Sequence, residues 1–312
     1  MESLFDIINV VLSIFLIIGL GYVLGITKFI SKEAIDNIRK LIFYVSLPIL
    51  LFRSASLSTL SEAVNIKSLG AIFLTFFIVV VTIYLAACKS EASRRGVIVQ
   101  GTFRTNMVFI GLPVITYAYG DAGLSAVVVL IAFIIPVTNF MAVIILSLPH
   151  HAELRGITLA RRMMREVACN PLVISCVIGL VFSGLHLTVP EGIGRSMDLV
   201  GRIALPLALL MVGSSLDFGK LKGEIVPSFL VSSIKLIIFP GLICLLLALW
   251  GESGIVLKAT VIMMAAPSAP AGYIMAVEMK GDEHLASSLI VSSTVLFMFT
   301  CVAWLYFLTF MN

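Results

Sequence analysis

GVIVQGTFRTNMVFIGLPVITYAYG, residues 96–120, is long enough to cross a bilayer, yet its centre carries Arg104, Thr105, Asn106, Gly111 and Pro113. An ordinary spanning helix avoids this combination, because charge is costly in hydrocarbon and proline leaves a backbone carbonyl without its donor. Such a segment is stable only where protein or water meets its polar groups. It is therefore expected to be a broken helix, one of two that frame a transport site.

The composition around it excludes a soluble domain. Of 312 residues, 60% are hydrophobic and 12% charged, and the mean hydropathy is +1.13. A chain of that kind is a polytopic, all-α membrane protein. At roughly 20 apolar residues per crossing of a ~30 Å core, it has room for about ten helices. The net charge of +4 is ordinary when cytosolic loops hold Lys and Arg, so nucleic acid is not an expected partner. The five cysteines, Cys88, Cys169, Cys176, Cys244 and Cys301, form no CxxC and meet no His at zinc spacing. They are expected to be small buried apolar residues, with no metal or other cofactor. The opening MESLFDIIN lacks the basic segment of a signal peptide, so the first helix is expected to remain in the mature protein.

Ten spans are expected in order. The first five are Phe5 to Thr27, Leu41 to Leu57, Ile66 to Cys88, Gly96 to Gly120 and Ala122 to Leu148. A charged connector from Lys28 to Lys40 separates the first two, and Gly19, Gly21 and Gly25 on the first suggest close helix packing. The longest polar stretch, Pro149 to Asn170, holds His150, His151, Arg155, Arg161, Arg162 and Arg165. It is expected to be an amphipathic cytosolic segment at the lipid headgroups. The remaining spans are Pro171 to Val189, Met197 to Leu216, Pro227 to Trp250, Val256 to Met279 and Glu283 to Met311. The chain thus divides into a first five-helix repeat at 1–148, a connector at 149–170 and a second repeat at 171–312.

Collinear short matches support the repeat. Ile18-Gly19-Leu20 answers Ile178-Gly179-Leu180 at an offset of 160, Leu47-Pro48 answers Leu205-Pro206 at 158, and Gly120-Asp121 answers Gly281-Asp282 at 161. The last offset sets residues 104–106 against Ala265, Ala266 and Pro267, so AAPSAPAG (265–272) is a second break. Five spans per half force the second half to enter from the opposite side, which makes the repeat inverted. With both termini outside, inner connectors hold fourteen of the 21 Lys and Arg, whereas outer ones hold Arg53, Lys67, Arg195, Arg202 and Lys258.

Arg104 and Lys235 are left inside spans. Arg104 lies nine residues past Arg95, about 14 Å deep, and Lys235 lies eight past Pro227, about 12 Å deep from the same side. No Asp or Glu occupies the middle of any span, which leaves a vacancy for an anion. Arg104 is either a substrate or gating cation, or a structural one meeting carbonyls freed at the break. Lys235 leans to the structural role, capping a neighbouring break. Two half-helices meeting near mid-membrane aim N–H groups and positive dipole ends at the gap, a geometry suited to a carboxylate. Asn106 adds an amide, Ser268 a hydroxyl, and Asn139 a second-rank amide in the fifth span. Pro113, Pro267 and Pro270 each make helix continuity costly by about 3 kcal/mol. Gly111 and Gly272 permit close backbone approach.

The runs RTNMVFIGLPVITYAYG (104–120), CNPLVIS (169–175), ALPLALLMVGSSL (204–216) and AAPSAPAGYIMA (265–276) resemble those of the auxin efflux carrier family. That family includes plant auxin exporters and bacterial permeases for small organic acids. The resemblance covers nearly the whole chain. It implies fourth and ninth helices that cross at their prolines, a homodimer, and an elevator in which spans one, two, six and seven form the scaffold. By motif position Asn106 takes the carboxylate-binding Asn and Pro267 the first crossover proline. Arg104 stands where plant exporters have an apolar residue, and Gly272 where they have a second proline, so a small carboxylate is expected rather than auxin.

The expected function is a secondary transporter of small organic anions working by alternating access in the plasma membrane. A substrate-gated channel or sensor of the same fold is the alternative. An enzyme is not expected, because His150, His151, His186 and His284 have no nucleophile or acid–base partners at hand. The coupling ion, proton or sodium, stays open, with Glu278 and Asp282 at the inner edge.

Overall fold

Ser3 opens the first helix by accepting the Asp6 N–H on its hydroxyl, and α1 then runs over Leu4–Ile26. Its buried positions, Ile7, Val11, Ile14, Ile18 and Gly21, recur every three or four residues and form one face. The other faces expose Leu12, Leu16 and Leu20, a surface that only lipid tails solvate well. The computed structural model describes residues 3–57, 65–148, 165, 168–221 and 223–311. Most of the 149–170 connector, with His150, His151, Arg155, Arg161 and Arg162, lies outside them.

The charged stretch after α1 is more ordered than a connector. Ser31 caps α2 (Lys32–Leu41), with Glu33 in its first turn and Arg39 and Lys40 in its last, charges that complement the helix dipole. A π-helical turn at Ile42–Ser46 carries the chain directly into α3 (Leu47–Leu57). There follow α4 (Ile66–Ala86), capped by Asn65, and α5 (Ala92–Phe103). After a non-helical step at residues 104–106, a π-helical turn at Met107–Gly111 enters α6 (Leu112–Ser147). Gly120 breaks α6 with φ 63°, a conformation that glycine adopts without steric cost.

The second half comprises α7 (Pro171–Gly184), α8 (Glu191–Ser214), α9 (Ile225–Ser233), α10 (Phe239–Leu249), α11 (Gly254–Ala265), α12 (Pro270–Glu278) and α13 (Glu283–Thr309). A π-helical turn at Ile234–Ile238 joins α9 to α10. The helix of the expected seventh span starts at Glu191, six residues before Met197, because Pro190 at its N-cap fixes the entry and Glu191 adds a favourable first-turn charge. Among the described residues, seven stretches are long and apolar enough to cross a membrane: Leu4–Ile26, Glu33–Leu57, Ile66–Ala86, Met107–Ser147, Glu191–Ser214, Ile225–Leu249 and Glu283–Thr309. Pro171–Gly184 and Gly254–Ala265 are shorter apolar helices.

Two helix pairs pack backbone to backbone, α1 on α8 and α3 on α7. A Cβ on Gly21 would come within 2.1 Å of the Leu210 carbonyl oxygen, one on Gly213 within 1.9 Å of that of Ile18, and one on Gly179 within 2.6 Å of that of Phe52. Gly25 likewise faces Ser214, whereas Gly19 meets nothing within 4 Å. Of the three glycines expected to mediate packing on the first span, two do so. Around the non-helical step, Phe76 of α4 packs its ring on Phe103 at 5.6 Å and on Phe239 at 5.3 Å between centroids.

Candidate functional site

The two breaks lie against each other. Thr105 and Ser268 form an isolated antiparallel β-bridge, and the Asn106 N–H donates to the Pro267 carbonyl at 2.7 Å. Backbone freed by the breaks is thereby paired inside the protein, as a non-aqueous interior demands. Ser293 of α13 accepts the Ser268 N–H at 3.0 Å. Asn106 caps the following turn, its side chain accepting from Phe109 N–H at 3.3 Å. No side chain caps the N-terminus of α12, whose N-cap is Ala269 and whose first residue is Pro270.

Lys235 is fully buried. Its Nζ donates to Thr105 Oγ1 at 2.6 Å and to the Met264 carbonyl at 2.8 Å, so it satisfies the end of α11 and ties it to the first break. Arg104 differs in kind. It is 7% exposed, and its Nη2 donates to Asn139 Oδ1 at 2.9 Å, while Nε and Nη1 have no partner.

Arg104, Thr105, Asn106, Thr138 and Asn139 line a cavity of about 540 Å³ that also touches the start of α12 at Ala269 and Ala271 and reaches Glu278. On the other side of α12 a cavity of about 420 Å³ is lined by Asn106, Pro270, Tyr273, Arg39 and Lys220. Asn106, Phe109, Ala269, Ala271 and Ile274 border both, so the second break is a wall between two spaces. The Thr138 hydroxyl donates back to its own helix, to the Ile134 and Ile135 carbonyls at 2.9 Å.

The remaining candidates fall into two groups. Ser268 and Gly272 stand beside Arg104 around a smaller space. Gly111 packs on Met263 and Ala266 at ordinary contact distance, and Pro113 is buried at the start of α6, so both shape the first break rather than face the large cavity. Gln100, Thr105 and Ser293 do more than the sequence suggested. For Gln100 a signal existed, since it lies one helical turn before Arg104, on the same face.

Further out, Arg94 grips Glu224 with both terminal nitrogens, at 2.8 and 2.7 Å, and Asp282 at 2.8 Å. The Glu224 hydrogen bond is the largest influence on the Arg94 guanidinium and raises its pKa, against a smaller lowering by burial. This cluster joins the starts of α5 and α13 to the residue preceding α9, and Asp282 also caps α13.

A family model described as "Membrane transport protein" matches residues 6–305. An "Uncharacterized transporter" of Methanothermobacter thermautotrophicus is 26% identical over 94% of this chain and 96% of that protein. A "Putative malonate transporter" of Rhizobium meliloti is 24% identical over 96% of this chain and 95% of its own. An "Uncharacterized transporter" of Methanocaldococcus jannaschii is 22% identical over 95% and 97%.

Proposed function

The chain belongs to the membrane transport protein family, the auxin efflux carriers, and on that premise we propose that it is a secondary transporter of small carboxylates. The observation that carries the proposal is Arg104. It is a buried cation at a helix break with two unpaired N–H groups, and it borders a cavity of about 540 Å³. Its one hydrogen-bonded side-chain partner among the described residues is the neutral amide of Asn139. A carboxylate supplies both the missing charge and the missing acceptors, and charge-assisted pairs with a guanidinium are among the stronger hydrogen bonds. Asn106 and the uncapped start of α12 sit beside the same space, where N–H groups favour an anion. The name borne by the Rhizobium relative points to the same class of ligand.

The membrane arrangement belongs to the same proposal. Met107–Ser147 is 41 residues long and turns at Gly120, so its first part completes the crossing begun by α5 and its second part makes another. With the two shorter apolar helices and the six other long ones, ten crossings result, arranged as a 5+5 inverted repeat at 1–148 and 171–312. The pairings of α1 with α8 and of α3 with α7 match span one with seven and two with six, as two-fold related halves require. These four form the scaffold, and the helices carrying the breaks move as an elevator. The protein is placed in the plasma membrane as a homodimer with both termini outside, and both cavities then open toward the cytosol.

The test is a thermal-shift screen of the purified protein against mono- and dicarboxylates, with and without sodium. Stabilisation by one or more carboxylates, lost in Arg104→Gln, is the expected result. Stabilisation by cations or neutral sugars alone would remove the anion assignment.

A further inference from the structure

Three asparagines line the cavity of about 540 Å³, and in each the side-chain oxygen is already taken by an N–H donor. Asn106 Oδ1 accepts from Phe109 N–H at 3.3 Å, Asn139 Oδ1 from Arg104 Nη2 at 2.9 Å, and Asn170 Oδ1 from Leu172 N–H at 2.9 Å. An amide nitrogen has no lone pair to offer those donors, so the bonds fix which way each side chain is turned. The three Nδ2 groups remain as donors, without a protein partner among the described residues, on side chains that border the cavity. With Arg104 they suit that space to a ligand carrying several oxygen acceptors.

Asn170 differs from the other two in where it stands. Asn106 lies in the first break and Asn139 on α6, whereas Asn170 is the N-cap of α7, the helix that packs on α3. Apart from Phe43, in the π-helical turn before α3, and Asn170, the lining comes from the first break, from α6 and from the second break with α12. Asn170 is thus the polar lining residue that the proposed scaffold contributes. Pro171 follows it at the first helical position and has no N–H. The first donor of α7 is therefore Leu172 N–H, and meeting it holds the Asn170 amide in place. We propose that Asn170 is a substrate-binding residue, whose oxygen caps α7 while its amide nitrogen donates to an oxygen of the carried acid at the cytosolic face. The proposal rests on the transporter reading and on its division into scaffold and moving helices. The acid travels with Arg104, Asn106 and Asn139 and leaves Asn170 behind, so this hydrogen bond strengthens binding at one face of the membrane only.

The test measures uptake of labelled malonate and labelled lactate by the full-length protein in right-side-out and inside-out membrane vesicles. Asn170→Ser and Asn170→Asp both keep an oxygen for Leu172 N–H, and Asn, Asp and Ser are nearly equal as caps, so Tm is expected to stay within about 2 °C of wild type. Ser loses the reach of the amide donor. Asp replaces that donor with a charge that repels the carried carboxylate. The half-saturating concentration at the cytosolic face is expected to rise about tenfold in Asn170→Ser and further in Asn170→Asp. At the outer face it is expected to change by less than about twofold, since the contact is absent there. A residue that only caps α7 would leave all these values unchanged. Saturable wild-type uptake with unaltered cytosolic affinity in both variants therefore overturns the proposal and leaves the transport assignment standing. Equal losses at the two faces, or an Asn170→Asp variant that matches wild type, overturn it as well. Wild-type vesicles that take up neither acid saturably would count against the transport assignment and remove this proposal with it.

Discussion

Arg104 and Lys235 are both cations within apolar surroundings, but their hydrogen bonds assign them different work. Lys235 spends its bonds on Thr105 and on the Met264 carbonyl at the end of α11. Its removal leaves a buried carbonyl and hydroxyl short of a partner, at a cost of about 1–3 kcal/mol. Lys235→Met is therefore expected to lower Tm by several degrees without changing the affinity of the remaining folded protein for carboxylates. A large affinity loss with unchanged Tm would make Lys235 a ligand-binding residue. Arg104 instead keeps two donors unpaired, the pattern of a group awaiting a partner. Both cations are visible in the sequence, because a charge inside an apolar run is conspicuous by itself. The partners of Lys235 are not, since Thr105 lies 130 positions away and local spacing carries no information across that gap. The bond of Ser293 to the Ser268 N–H is hidden for the same reason.

Helices α1 and α8 approach so closely that carbonyl oxygens occupy the space where glycine side chains would stand. Gly213→Ala is expected to be strongly destabilising, because its Cβ would fall 1.9 Å from the Ile18 oxygen and the helix axes must separate. Gly19→Ala, facing open space, is expected to leave Tm unchanged or slightly raised through better helix propensity. Thermal unfolding of the two variants in detergent checks this, and equal effects would contradict the packing. Helix geometry separates these glycines, since Gly21 and Gly25 share a face at i, i+4 while Gly19 points elsewhere. The helical nature of Lys32–Leu41 was also within reach. Ser31 as cap and the first-turn Glu33 are start signals, but the density of charge suggested a loop. Both breaks were legible from their prolines and polar residues. Their mutual contact at Thr105 and Ser268 was not, because the repeat offset aligns them in sequence without bringing them together in space.

For the whole molecule, the proposed inverted arrangement, oriented by the Lys and Arg bias of its connectors, predicts which surfaces face the cytosol. In a variant with its five cysteines replaced, Ser90→Cys before α5 is expected to resist a membrane-impermeant maleimide added outside intact cells, and Met311→Cys after α13 to react. The reverse pattern would invert the topology and turn the two cavities beside α12 outward. The class of the molecule follows from hydropathy alone, and the repeat is proposed from the sequence offset, whereas the size of the cavities depends on side-chain placement that no periodicity encodes. The most direct test of the account is counterflow of a labelled small carboxylate in proteoliposomes, comparing wild type with Arg104→Gln. The wild type is expected to show saturable exchange accelerated by unlabelled carboxylate on the opposite side. The folded variant is expected to lose about tenfold or more in apparent affinity, the loss of one charge-assisted pair. Linear, non-saturating flux, or an Arg104→Gln variant indistinguishable from wild type, would contradict it.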